Sequence, residues 1–494
     1  MVAVAVAITA LVGCDNRFGA SLVRTEDPVV FTGDAVPKLI GHDPEHIVAF
    51  AWDGSAWQQI PVQVDQRDFV NPGQIYNRPA DKWAKRPDGT AYTTLVYTPT
   101  PSYTGYRSYG TYTPRDSDPT LDGNDEVSLL AADVGQLAPT SAQNPSGVTP
   151  STRERITVHD PLDSSAVGYA YLYASPTLDG GAVTSGVDYR FHLDSGNYKQ
   201  TYGMGTASNA PNDHRGPNPE HSTVTTARYR MTYSDRWLND GLQISQNGST
   251  GADLLDRDDY VVPNLGCVRN ENTFDDVAPS SPYEGAFIVN ISGPVRAIRS
   301  HIGANSFLYT IQTELFYPDR QDSVIELKGH AGLPGYANYD DLTTGLTGQT
   351  YSDPQNSNVT IDGVADKTTP ISWTTGSGTP PAAWQLIKGP AGSIVTARTI
   401  DTDLDGASVS TYYHDASPDS PTPCTGDASS WGQDGFQILA PGGGAFPNTD
   451  PTLEQDPPKL TTTRTRYLLG PNAGTAQAAH LADRVTHPVT VTVS

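Results

Sequence analysis

Apolar residues recur at alternate positions through much of this chain. That spacing turns one face of a β-strand toward a core and the other toward water. Phe307-Leu308-Tyr309-Thr310-Ile311-Gln312 shows it. On this basis strands are expected at 154–159, 166–174, 187–194, 225–233, 286–292, 295–302, 307–317, 322–329, 393–400, 408–414 and 460–469. Residues 46–52 (HIVAFAW) and 56–65 (AWQQIPVQVD) flank Asp53-Gly54, a two-residue hairpin signal. Only Thr475 to Val485 (TAQAAHLADRV) carries a helical pattern, with Gly474 before it and Pro488 after it. The strands are short and punctuated by Gly, Pro and Asp. The expected fold is therefore all-β: antiparallel β-sandwich or supersandwich, a small N-terminal β-domain, and one short C-terminal helix.

The polar stretch Leu137 to Thr152 (LAPTSAQNPSGVTPST) reads as a linker. It would divide a β-rich module at 15–136 from a large β-sandwich domain at 153–494. Between 92 and 112, Tyr92, Tyr97, Tyr103, Tyr106, Tyr109 and Tyr112 are separated by small and turn-forming residues. This segment is expected to be an exposed aromatic loop or an edge hairpin.

Val2 to Val12 is an uncharged apolar run too short to span a bilayer. It ends in Leu11-Val12-Gly13-Cys14, which resembles the lipobox of bacterial lipoproteins. The resemblance implies a signal peptide at 1–14, lipidation of Cys14, and an extracytoplasmic, lipid-anchored location at the cell surface or in the periplasm. No Lys or Arg precedes the run, a departure from the usual export pattern. With Cys14 lipidated, Cys267 and Cys424 remain. They are either a disulfide, which oxidising compartments permit, or two unrelated buried thiols.

Charge narrows the partners. The 55 Asp and Glu against 31 Lys and Arg leave a net charge of −24. A field of that sign repels phosphate backbones, so nucleic acid is not an expected partner. There is no G-x-S-x-G elbow, P-loop, dinucleotide fingerprint or C-x-x-C-H.

Three groups of residues could carry chemistry. Asp401-Thr-Asp403-Leu-Asp405-Gly406 places hard oxygen ligands round a tight turn, as Ca²⁺ prefers. Tyr412 stands where an EF-hand would have Glu, so a calcium site in a β-loop is the expectation. Weaker echoes lie at Asp116–Asp125 and Asp253–Asp259. The loop Asn212 to His221 gathers His214, Arg215, Glu220 and His221, residue types that serve as general bases, charge stabilisers and orienting carboxylates. On the strand VRAIRSHIG, Arg299 and His301 lie two residues apart and share a face. For each of these groups the alternative is an ordinary solvated turn or strand face.

Gly293-Pro294-Val295-Arg296, the strands after it (FLYTIQTELFYPDRQDSVIELKG) and the late strand IVTARTI are similar to the galactose-mutarotase-like supersandwich domains of carbohydrate-active proteins. The resemblance implies a polysaccharide or other extracellular glycan as partner, and assigns no catalytic residue. The expectation is a surface lipoprotein that binds and cleaves a polysaccharide, as a lyase or a glycoside hydrolase. His214, Arg215, Glu220 and His221 are its catalytic candidates, with Arg299 and His301 as substitutes. The alternative is a non-catalytic glycan-binding or structural protein stabilised by calcium.

Overall fold

A computed structural model of the chain describes residues 16–75, 84–111, 113–194, 220–233, 239–246, 248–261, 285–303, 310–327, 333–419, 429–448 and 455–494. It is an all-β protein. Among the described residues the strands form several antiparallel sheets, and the one long helix is Thr475–Thr486, near the C-terminus.

The N-terminal unit is a sandwich of two sheets. One has three strands, in the order Pro28–Thr32, Glu126–Leu130, Gln63–Asp65. The other has five, in the order Thr490–Val493, Glu154–Asp160, Asp163–Ala174, Ile47–Trp52, Trp57–Ile60. Val29, Val127 and Leu129 from the first meet Ile47, Ala49, Ile156, Val158 and Leu172 from the second in one apolar core. Strands on both sides of 137–152 therefore belong to the same sheet, and the last strand of the chain returns to its edge. The segment 137–152 is no free linker. Its Ala138 is buried, and Ala142 and Val148 pack on the outer face of the five-stranded sheet against Val48, Phe50, Tyr171 and Tyr173. Polar composition suggested a spacer, but the apolar residues spaced through it are enough to seat it on a sheet.

The larger unit is built on a ten-stranded sheet. Its central strands run Gly392–Thr402, Leu460–Leu469, Arg320–Glu326, Ile311–Phe316, Ala297–Gly303, Gly285–Ser292. Alternation gives each strand two different faces. Tyr467, Val395 and Ala397 point outward and are covered by Ala478, Leu481 and Ala482 of the helix. Ile298, Ile302 and Ile311 point outward further along, under Val70 and Val96 of the small hairpin Arg67–Val70/Thr94–Tyr97. The inner face is covered by a four-stranded sheet (Asp188–Arg190 to Gly241–Ile244) and by a five-stranded sheet that includes Leu255–Val261, Gly335–Leu342 and Ser430–Leu439.

That inner face is unusual in its polarity. Residues in register across successive strands read Arg398, Arg464, Ser323, Glu314, Arg299, Asn290. The facing layers answer with carboxylates. Arg464 is held by Asp258 and, at 2.8 Å, by Asp340; Arg466 lies 3.3 Å from Asp340. Arg299 makes a bidentate pair with Glu220 at 2.6 and 2.9 Å. All of these side chains except Arg398 are under a tenth exposed. Buried charges persist only when paired and hydrogen-bonded, and here each sheet supplies the partners of the other.

The two units meet at Gly293-Pro294-Val295-Arg296. Gln63 Oε1 accepts from the backbone N–H of Val295 and of Arg296, both at 3.0 Å. A Cβ on Gly293 would lie 2.2 Å from that oxygen and would displace the Gln63 side chain. Arg296 then reaches Asp65 and Glu126 of the three-stranded sheet, each at 2.7 Å. The Asp53-Gly54 signal marks a hairpin, but the register pairs Trp52 with Trp57. The loop is thus four residues, not two. Asp53 Oδ1 closes it by accepting from the N–H groups of Ser55 and Ala56.

Candidate functional site

Of the expected catalytic residues, Glu220, His221, Arg299 and His301 are described, and His221 is exposed while the other three are buried. His214 and Arg215 lie outside the described residues, as do Cys14, Cys267 and Cys424. Glu220 and Arg299 are fully buried and bind each other, and Tyr189 Oη lies 3.2 Å from the same guanidinium. Arg299 also stacks over the Tyr233 ring at 4.2 Å. His301 shares the inner face with Arg299, as their spacing predicts, but burial and the neighbouring guanidinium hold its pKa well below the usual histidine value. These groups hold sheets together and have no access to a polymer. His221 is different. It is exposed, and its Nδ1 lies 2.5 Å from Asp194 Oδ2, with His192 Nε2 3.6 Å from Oδ1. The hydrogen bond and charge of Asp194 raise the His221 pKa.

The expected calcium turn is also occupied by protein groups. Asp401 pairs with Lys459 Nζ, and Asp403 Oδ1 accepts from Lys459 N–H at 2.6 Å. Asp405 is exposed on the turn. Among the described residues no three or more His, Cys, Asp or Glu side chains are placed to hold a metal ion. The weaker Asp echoes have structural work as well. Asp125 accepts from Arg67 N–H and Gln66 Nε2, and Asp253 accepts from Leu242 N–H.

The tyrosine-rich segment supplies a hairpin strand, Thr94–Tyr97, and an edge strand, Arg107–Ser108, and several of its tyrosines turn inward. Tyr92 and Tyr106 are buried, Tyr103 stacks on Tyr106 at 4.8 Å, Tyr97 Oη donates to Glu126, and Tyr109 Oη donates to Tyr189 O. Tyr112 lies outside the described residues.

A concavity lined by aromatic rings sits on the outer face of the N-terminal five-stranded sheet, away from the expected site residues. It is a cleft of about 480 Å³ lined by Phe50, Trp52, Trp57, Gln59, Gln143 and Asn144 among others. Its floor follows from strand alternation. Val48, Phe50 and Trp52 point away from the sandwich core on Ile47–Trp52, beside Tyr171 and Tyr173 of the neighbouring strand. Trp57 faces Trp52 across the hairpin with ring centroids 5.2 Å apart, edge to face, and meets Tyr171 at 4.9 Å in the same way. Both tryptophans are half-buried. The wall is the segment 142–146. Trp57 Nε1 donates to Gln143 O at 2.6 Å, which fixes that segment against the ring. Tyr173 Oη donates to Asn144 Oδ1 at 3.0 Å, and Gln59 Nε2 donates to Asp179 O at 2.9 Å. The cleft therefore combines preset aromatic rings with the side-chain amides of Gln59 and Asn144, each oriented by a hydrogen bond. The sequence signal was present in AWDGSAWQQ, two tryptophans five residues apart across a turn, but only the docked 137–152 segment makes the hollow.

No protein-family model matches this chain, and no curated protein matches it in sequence.

Proposed function

We propose that this protein is an exported, lipid-anchored surface protein that binds a glycan, and that the Trp52–Trp57 cleft is where it does so. The observation that carries the reading is the pairing of half-exposed indole rings with fixed amides in one concavity. Aromatic faces and edges pack against the C–H surface of a sugar, and amides exchange hydrogen bonds with its hydroxyls; binding sites are generally concave, mostly apolar and few in polar groups. The likeness of the run Val2–Cys14 to a lipobox supports the anchor, and a protein so anchored would meet extracellular polysaccharide.

A second reading, cleavage, rests on the exposed His221–Asp194 pair. A histidine hydrogen-bonded to a carboxylate can shuttle a proton. Its raised pKa favours the acid form more than in a free histidine. One experiment addresses both. The purified chain is passed over a panel of immobilised polysaccharides, and release of reducing ends and of unsaturated products is followed. Retention without release, abolished by Trp57→Ala, is the expected result. Release that disappears in His221→Ala would establish the second reading. No retention on any glycan would end the first.

A further inference from the structure

We infer that the Trp52–Trp57 cleft takes an uncharged glycan segment, built of neutral hexoses or acetamido sugars, and rejects uronate, sulfated or phosphorylated ones. The inference rests on the glycan-binding reading above. Its basis is the chemistry of the lining: aromatic rings, aliphatic side chains, serines and three side-chain amides, with no ionisable side chain among the lining residues. A carboxylate placed there would give up hydration and meet no cation among the lining residues.

The charges just outside the cleft reinforce this. Asp53, at the hairpin between the two tryptophans, accepts from Ser55 N–H, Ala56 N–H, Ser55 Oγ and Gln58 Nε2. Those bonds hold its carboxyl below the usual carboxylate range, so a fixed negative charge stands at the rim. One cation, Arg153, stands beside the cleft. Its guanidinium is already stacked over the Tyr171 ring at 4.7 Å and lies 5.9 Å from the Trp57 centroid, and Arg153 is not part of the lining. The net charge of −24 adds long-range repulsion of polyanions. The amides suit a neutral ligand in another way. Tyr173 engages Asn144 Oδ1, which turns the Asn144 NH₂ group outward as a donor for a hydroxyl or acetamido oxygen.

The test is calorimetric titration of the full chain at about 20 mM and about 500 mM salt. The neutral probes are β-glucan, xylan, mannan and chitin oligosaccharides; the anionic probes are alginate and polygalacturonate oligosaccharides of matched length. The expected result is binding of at least one neutral probe with affinity that changes less than about twofold between the two salt concentrations, because no charge pair is there to screen. Trp57→Ala should weaken it about tenfold or more. Gln143→Ala, on an exposed side chain that cannot disturb folding, should weaken it a few-fold. Preferential binding of an anionic probe, weakened by salt and lost in Arg153→Gln, would overturn the inference and leave the glycan reading standing. Equal affinity for neutral and anionic probes would overturn it as well. No binding of any probe, with the chain folded by circular dichroism, would overturn both.

Discussion

Glu314 shows what burial does to a single group in this molecule. It stands on the inner face of the ten-stranded sheet, where Oε1 accepts from Tyr233 Oη at 2.9 Å and from Gln321 Nε2 at 2.8 Å. Arg299 Nε is 3.5 Å away, but that guanidinium is committed to Glu220. Burial therefore outweighs the attraction and pushes the Glu314 carboxyl up to about 7. The folded-state pKa lies above the unfolded one, so the folded protein holds a proton that the unfolded chain has lost between about pH 4.5 and 7. Its burden on stability is absent below that window, grows through it, and is complete above it. Glu314→Gln keeps the acceptor oxygen and removes the charge. The variant should melt at or above the parent's temperature at pH 8, and the difference should vanish by about pH 4.5. Thermal scans across that range check it, and a variant markedly less stable at pH 8 would mean that Glu314 is ionised and bound to Arg299. None of this was legible in FLYTIQTEL, where the alternation gave the strand and the shared face but not what the face meets.

At the level of elements, the clearest agreement lies where pattern and packing act together. The strand expected at 460–469 is Leu460–Leu469, and the helix expected at Thr475–Val485 is Thr475–Thr486. The helix packs Ala478, Leu481 and Ala482 on Leu386, Val395 and Tyr467 of the large sheet, and Arg484 near its end donates to Glu26 and Val23 O. Leu481 is buried, so Leu481→Ala should cost about 2–5 kcal/mol, read by denaturant titration. A loss under about 1 kcal/mol would mean that the helix is loosely docked. By contrast the strand Gly335–Leu342 (GYANYDDL) is not among those the alternation predicts. Its Asp340 and Asp341 look like turn residues, yet both are buried, and Asp340 faces Arg464 and Arg466 from the opposite layer. Local polarity predicts solvent. Only the other sheet supplies the counter-charges that reverse that preference.

The whole molecule is more interlocked than its composition suggests. Glu154–Asp160 and Asp163–Ala174 pair with strands from before residue 61 and with the final strand Thr490–Val493. Arg24 donates to His487 O, Arg484 O and Asp160, joining the N-terminal segment to the chain's end. A fragment of residues 153–494 would leave Asp163–Ala174 without its partner strand Ile47–Trp52 and Arg296 buried without Asp65 and Glu126, a loss of about 3–5 kcal/mol at that ion cluster alone. The fragment should therefore be insoluble or non-cooperative by calorimetry, whereas the full chain should show a cooperative transition. A soluble, cooperatively melting fragment would restore an autonomous domain at 153. By itself the sequence determined the all-β class, the positions of about half the described strands, the helix, and the identity of residues sharing a face, because these follow from a period of two or 3.6 within a few residues of chain. The tertiary structure alone decided that the 137–152 segment is a wall, that GPVR is a clamp, that Arg299, Glu220 and His301 are interior, and that the open cleft lies at Trp52 and Trp57. Those outcomes depend on contacts between residues tens to hundreds of positions apart, which local periodicity does not encode.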